Sequence, residues 1–178
     1  MAILKYTAMG IAMLIVIILI YAFFRAKSTL VEVELTINKP VQDVYSFLSK
    51  LKNQDLYNKI RTLDTQMTKE FKGTDGEVGF IYSWASSVKE VGVGEQEIIR
   101  LVPFKRIETQ IRFKKPFASN DPFTIILEPV DTTLTKVKFS YLLSMSYPTN
   151  IMLSVFSDRV YKRMQNNLLA AKSLLENQ

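Results

Sequence analysis

Hydrophobic residues run almost unbroken from Tyr6 to Phe24, and beyond them the pattern turns to alternation. Lys5 bounds the run on one side; Arg25 and Lys27 bound it on the other. As a helix the run would rise about 28 Å at roughly 1.5 Å per residue, close to a hydrocarbon core of roughly 30 Å. Tyr6 and Tyr21 sit near its ends, where amphipathic aromatics favour the lipid–water boundary. The pattern predicts an uncleaved, single-pass transmembrane anchor with its flanks over residues 1–27 and one domain over residues 28–178. Two alternatives stand beside it, a cleaved secretory signal and a buried core helix. A signal has a shorter apolar core and a small-x-small cleavage site, whereas Phe23-Phe24-Arg25-Ala26-Lys27-Ser28 is bulky and cationic. Gly10 has no small partner at GxxxG spacing, so no helix-dimerisation motif is present. Arg25, Lys27 and Lys39 on the C-terminal flank outweigh Lys5 and the α-amino group by about one charge, which favours a cytoplasmic domain under the positive-inside rule.

After the anchor, Val31-Glu32-Val33-Glu34-Leu35-Thr36-Ile37 alternates with period two and predicts a half-buried strand. Asn38-Lys39-Pro40 opens a helix with Val41, Val44, Phe47, Leu48 and Leu51 on one face. A short second helix is predicted over Leu56–Ile60. Six strands follow, over Leu63–Phe71, Val78–Ala85, Val91–Val102, Ile107–Lys114, Phe123–Glu128 and Leu134–Met145. A long helix starting near Pro148 closes the chain, with Leu153, Phe156, Val160, Met164, Leu168, Ala171 and Leu175 on one stripe. An antiparallel sheet with one wet face explains why strand after strand alternates, and the last helix is expected to cover the apolar face. The expected fold class is α+β.

Composition removes several functions. The chain has no histidine and no cysteine, which excludes a His-activated serine, a histidine metal ligand and ordinary zinc sites. Residues 28–178 carry 20 basic and 17 acidic side chains, a net +3, with no basic block that would track phosphates. No nucleic acid is expected as a partner, no cofactor and no metal. The nearest basic–aromatic motif, Arg112-Phe113-Lys114-Lys115-Pro116-Phe117, reads as a strand with one wet face running into a turn; a weak attraction to anionic lipid headgroups is its other reading.

The order of these elements resembles the SRPBCC superfamily, which holds START domains, the birch-pollen allergen fold and the polyketide cyclase/dehydrase group. Ile37-Asn38-Lys39-Pro40-Val41-Gln42-Asp43-Val44-Tyr45 resembles the opening strand-to-helix motif of the last group. Tyr82-Ser83-Trp84 with Val91-Gly92-Val93-Gly94-Glu95-Gln96-Glu97-Ile98 resembles its central hairpin. Phe113-Lys114-Lys115-Pro116-Phe117 and Phe123-Thr124-Ile125-Ile126-Leu127-Glu128-Pro129 resemble the strands that follow. The resemblance spans roughly residues 30–176. It implies a helix-grip fold, a curved seven-stranded sheet wrapped around the C-terminal helix with a hydrophobic cavity between them. It also implies binding of lipids, polyketides, sterols or similar molecules. Relatives often place tryptophans after the first helix, near the cavity mouth; here Asp55-Leu56-Tyr57-Asn58-Lys59-Ile60-Arg61 offers only Tyr57.

By strand parity Phe80, Tyr82, Trp84, Ile111, Phe113, Phe139 and Tyr141 project towards the closing helix, and Phe156 and Val160 could face them from it. These nine are the candidate cavity residues; a packed core is the alternative reading of the same stripe. Gly92 and Gly94 are read as sites of bending or close packing, Glu95 and Glu97 as a solvated face. Asp64, Asp75 and Asp121 are placed in or near turns. Three functions stay open. The first is a membrane-anchored binding or carrier module for a hydrophobic small molecule or lipid, with the bilayer and that ligand as partners. The second is a cyclase- or dehydratase-like enzyme using Tyr82 or Tyr141. The third is a protein-interaction domain whose cavity its own side chains fill.

Overall fold

The computed structural model describes residues 1–177; Gln178, the last residue of the expected domain, lies outside the described residues. Helix α1 (Ala2–Phe24) is followed after three residues by strand β1 (Ser28–Ile37). Helices α2 (Val41–Leu48) and α3 (Gln54–Tyr57) lead to strands β2 (Thr68–Lys72), β3 (Ile81–Ala85), β4 (Val93–Val102), β5 (Arg106–Lys115), β6 (Ser119–Pro129) and β7 (Thr135–Ser144). Helix α4 (Leu153–Glu176) ends the chain. All seven strands form one antiparallel sheet in the order β1-β7-β6-β5-β4-β3-β2. This is the helix-grip arrangement, and its element order is the one the alternation predicts.

Alternation builds the sheet because each strand has one dry and one wet face. On β1, Val31, Val33 and Ile37 are buried while Glu32 and Glu34 face solvent and meet Lys138 and Lys136 on β7. Arg112 bridges Glu95 at 3.0 Å and Glu97 at 2.7 Å on the same outer face, so those carboxylates form a solvated ion-pair cluster. Helix α4 buries Leu153, Met164, Leu168, Ala171 and Leu175, and its backbone runs alongside β1 with smaller contacts to β7 and α3.

Several boundaries differ from the sequence expectation: β3 begins at Ile81 rather than Val78, and β6 spans Ser119–Pro129 rather than Phe123–Glu128. The strand expected from Leu63 begins only at Thr68, because Asp64 Oδ1 accepts from the Gln66 N–H at 2.9 Å and closes a turn. The second helix is the single turn Gln54–Tyr57, and α4 starts at Leu153 after a short 3₁₀ turn over Thr149–Met152. Asp121 is not in a turn. It lies inside β6 opposite Ile111 and is almost fully buried, accepting from the Tyr141 hydroxyl at 2.8 Å and the Ser144 N–H at 3.2 Å.

Helix α1 is long and apolar enough to cross a membrane over Ile3–Phe24, and among its described side chains only Ala22 is buried. Its last turn is fastened to the rest of the chain. The Asn150 amide donates to the carbonyls of Ala22 at 2.7 Å, Arg25 at 3.1 Å and Ala26 at 3.4 Å, groups that a helix end leaves without partners. The Met145 N–H donates to Lys27 O at 2.9 Å, and Ser28 pairs with Ser144.

Adjacent residues on α4 give a direct check of the helix face. Leu168 is 1% exposed and Leu169 is 50% exposed. Leu168→Ala should cost about 2–5 kcal/mol, against less than about 0.5 kcal/mol for Leu169→Ala. Thermal melts of the two variants should therefore separate by many degrees; equal melts would contradict the placement of α4.

Candidate functional site

The sheet's inward face is organised in cross-strand rows. Trp84, Gly94, Phe113 and Ser119 form one; Tyr82, Gln96, Ile111 and Asp121 form the next; Thr109, Phe123, Tyr141 and Val31 lie in a third. Gly94 makes the first row possible: a Cβ there would sit 2.8 Å from Trp84 Cζ2, so only glycine lets the indole lie across β4 to meet Phe113, with ring centroids 5.6 Å apart. Gly92, at φ +67°, lets the β3–β4 turn close onto the end of β5, where a Cβ would lie 2.2 Å from Lys115 O. Both glycines therefore serve close packing.

All seven strand candidates lie on this face or at its edge, but they divide between two packed clusters. Phe80, Tyr82 and Trp84 belong to one, with Leu51, Met67, Val91 and Ile98. Phe139 and Tyr141 belong to the other, covered by α2 and α4. These five are buried: Tyr82 at 0% and Phe80 at 1%, the others below a tenth exposed. Ile111, Phe113, Phe156 and Val160 are half-buried, as are Phe123 and Met145 beside them. Ile111 packs against both clusters and so lies on the seam between them. The candidates thus separate into a filled core and a margin of four half-buried apolar side chains, Ile111 and Phe113 on β5 and Phe156 and Val160 on the first half of α4.

The polar residues of this face were not singled out from sequence. Arg61, 8% exposed, lies over the Tyr82 ring at 3.9 Å and the Trp84 ring at 5.6 Å. Its guanidinium donates to Leu51 O at 3.4 Å, Asp55 Oδ1 at 3.4 Å and Gln96 Oε1 at 3.3 Å. Gln96 Nε2 donates in turn to Thr109 Oγ1 at 3.0 Å, and the Thr109 hydroxyl to Phe123 O at 3.1 Å. The Tyr82 hydroxyl donates to Asp55 Oδ1 at 2.7 Å, and Lys69 approaches Asp55 Oδ2 at 2.8 Å. One signal could have revealed the network. Gln96 and Thr109 occupy inward parity positions, and a polar group there requires a buried partner.

Electrostatics show what these groups can do. Burial works against ionisation of Asp55, but the hydrogen bonds from Lys69 and Tyr82 and the charge of Arg61 outweigh it and hold the carboxyl below its ordinary 3.8. Burial pushes the Tyr82 phenol well above its ordinary 10.0, against the charge of Arg61, and the hydrogen bond to Asp55 adds to the rise. Tyr141 is raised in the same direction by burial and then by the Asp121 charge and hydrogen bond. Each hydroxyl already donates its proton to a carboxylate, so neither is a free acid, and neither is a phenolate base near neutral pH.

Two solvent-open depressions, of about 410 Å³ and 500 Å³, lie elsewhere, around Lys39, Asp43 and Lys50 and around Gln42 and Asp131. Both sit by the start of α2, at the end of the sheet remote from α1. Lys39, Asp43 and Lys50 make the first a charged, polar site, whereas Val41 and Pro129 give the second a mainly apolar wall with Asp131 as its one charge.

Comparison with known proteins adds the fold's context. No family model matches the chain, and no curated protein is similar to it in sequence. Solved structures do match. The Zhui aromatase/cyclase from Streptomyces sp. R1128 superposes with a TM-score of 0.64 at 13% identity, over 84% of this chain and 94% of that one. Ara h 8.0201 gives 0.61 at 15% identity, over 85% and 99%. A norcoclaurine synthase from Thalictrum flavum, solved with a transition-state analogue, gives 0.58 at 16% identity, over 83% and 94%. At such identities the likeness concerns the fold alone.

The buried phenols make stability depend on alkaline pH. Tyr57, raised by burial, joins Tyr82 and Tyr141 in staying protonated above 10.0 in the folded chain, whereas the unfolded chain releases those protons. Above that pH the folded state binds more protons, so its stability is lost as pH rises. A titration followed at 295 nm should show these three of the eight tyrosines ionising only as the chain unfolds. Ionisation of all eight near pH 10 with the fold intact would contradict the buried pairs.

Proposed function

We propose that this chain, which carries the helix-grip fold of the SRPBCC superfamily, is a membrane-anchored receptor for a hydrophobic small molecule or lipid. In this reading residues 1–27 are the anchor and residues 28–178 the binding domain. One observation carries the reading: Phe113, Met145 and Phe156, three of the half-buried apolar side chains, lie at the end of the sheet where α1 leaves. Phe113 adjoins the β5–β6 turn, Met145 directly follows β7, and Phe156 lies in the first turn of α4. That end also holds Ser28 and Ser144, which pair beside the tip of α1. An apolar molecule passing from a bilayer to this margin would meet little water. Apolar concave sites of this kind commonly hold small molecules, and the structural neighbours include an aromatase/cyclase and a norcoclaurine synthase.

Ile111 would form the floor of the site, with Phe113 and Phe123 beside it on the strands and Phe156 and Val160 above. The five packed candidates would then support the site from beneath: Phe80, Tyr82, Trp84, Phe139 and Tyr141. The enzymatic alternative gains nothing from the two tyrosine–carboxylate pairs, because both hydroxyls are committed to their carboxylates. The interaction-protein alternative is favoured by the filled part of the face and opposed by the open apolar margin.

A photoactivatable diazirine alkyl probe, incubated with the full chain in its membrane, should label peptides carrying Phe113 and Phe156 as well as α1. Val160→Glu places a charge on the open side of the margin and should lower labelling at both peptides at least about tenfold, the equivalent of ~1.4 kcal/mol, with little change in melting temperature. Wild-type labelling confined to α1 would sink the receptor reading in favour of an interaction domain.

A further inference from the structure

We infer that the end of the sheet from which α1 emerges docks directly on the bilayer surface, with the β5–β6 turn as its second point of contact. The inference rests on the reading of α1 as a membrane anchor and adds a surface and its partner, an anionic lipid headgroup layer.

Three independent features coincide at this end. First, α1 is not on a flexible tether: Asn150 holds the carbonyls of Ala22, Arg25 and Ala26, and β1 begins at Ser28 already paired with Ser144. A bilayer spanned by α1 would therefore lie against this end and no other. Second, the β5–β6 turn reaches the same level. Phe113 pairs with Ser119 across the turn, and β6 stands two strand spacings from β1, about 10 Å at roughly 4.8 Å each. At its tip Phe117 is 62% exposed, and Tyr147 and Met152, on the segment that holds α1, are also exposed. Bulky apolar side chains on turns cost least when they enter an interface, which is where aromatics partition. Third, the charges agree. Arg25, Lys27, Lys114 and Lys115 are exposed here, and Lys114 reaches Glu95 only at 3.9 Å. Lys89 and Glu90 on the β3–β4 turn offset each other. The turns at the opposite end and their flanks carry Asp75, Glu77 and Asp131 together with Lys72, Lys105 and Arg106, so their charges balance, whereas Arg25, Lys27, Lys114 and Lys115 leave the end beside α1 cationic. Basic residues near an anionic leaflet are attracted within a Debye length. The basic–aromatic run from Arg112 to Phe117 thereby acquires a role: Arg112 binds the sheet's own carboxylates, Phe113 packs inward on Trp84, and Lys114, Lys115 and Phe117 are left to meet lipid.

The chain has no cysteine, so single cysteines can be labelled without background. Full-length Ala118→Cys, Thr132→Cys and Ile18→Cys, each carrying an environment-sensitive fluorophore, would be reconstituted in phosphatidylcholine vesicles containing phosphatidylserine and a lipid-borne nitroxide quencher. The labels at 18 and 118 should lose fluorescence and the label at 132 should not. Adding Phe117→Ser, Lys114→Glu and Lys115→Glu should restore fluorescence at 118 while 18 stays quenched. A label at 118 as bright as that at 132, with 18 quenched, would overturn the docking surface and leave the anchor standing. A bright label at 18 would remove both. Quenching at 118 that ignores the triple replacement would overturn the role given to Lys114, Lys115 and Phe117.

Discussion

The pairing of β1 with β7 is the constraint on which the rest of the structure depends. It runs without a register shift from Ser28↔Ser144 to Ile37↔Thr135 and brings the first strand beside the last. Because α4 packs along β1, this pairing also sets where the closing helix lies over the sheet. Because α1 ends three residues before β1, it sets where that helix leaves the fold. Opposite charges reinforce the register on the outer face, with Glu34 3.1 Å from Lys136 and 3.8 Å from Lys138. Slipping β1 by one residue would turn Val31 and Val33 to water and Glu32 and Glu34 into the core.

A consequence of that placement is that one helix does not cover the whole inward face. With α4 on the β1 side, the β3–β4 side is covered by the irregular stretch around Leu51 to Met67, and Arg61 is the group that enters there. Its planar cation suits the task, since it stacks on Tyr82 while donating to Asp55 and Gln96. Ile111 lies between the two covers. A sheet roofed by two unlike pieces has a seam, marked by Leu101 and Ile111, which pack against both clusters, and the proposed site uses the part of it nearer α1. The proposed ligand site and the proposed bilayer contact thus follow from the same geometry.

Much of this was legible in the chain. Alternation in Val31–Ile37, Ile107–Phe113 and Val137–Leu143 foretold the strands because one sheet face is wet. The three- and four-residue spacing of Leu153, Met164, Leu168, Ala171 and Leu175 foretold the helix and its buried face. The same stripe included Phe156 and Val160, yet these stay half-buried, because periodicity tells which face a residue occupies and not how completely a neighbour covers it. The polar network was hidden for a different reason. Arg61 and Gln96 are 35 residues apart in sequence and meet only through the fold. Arg61 also belongs to a stretch of short turns with no period to read, and Asp121 was assigned to a turn on composition although β6 carries it into the interior. What was legible of the candidate site was its face; its division into core and open margin required the coordinates.

The central claim is that an apolar molecule occupies the margin between β5, β6 and α4. Native mass spectrometry of the full chain, gently extracted from its own membrane, addresses it most directly. The account predicts a chain carrying one additional apolar molecule that is released on collisional activation. A chain that flies bare under conditions where other lipid–protein complexes survive would contradict it.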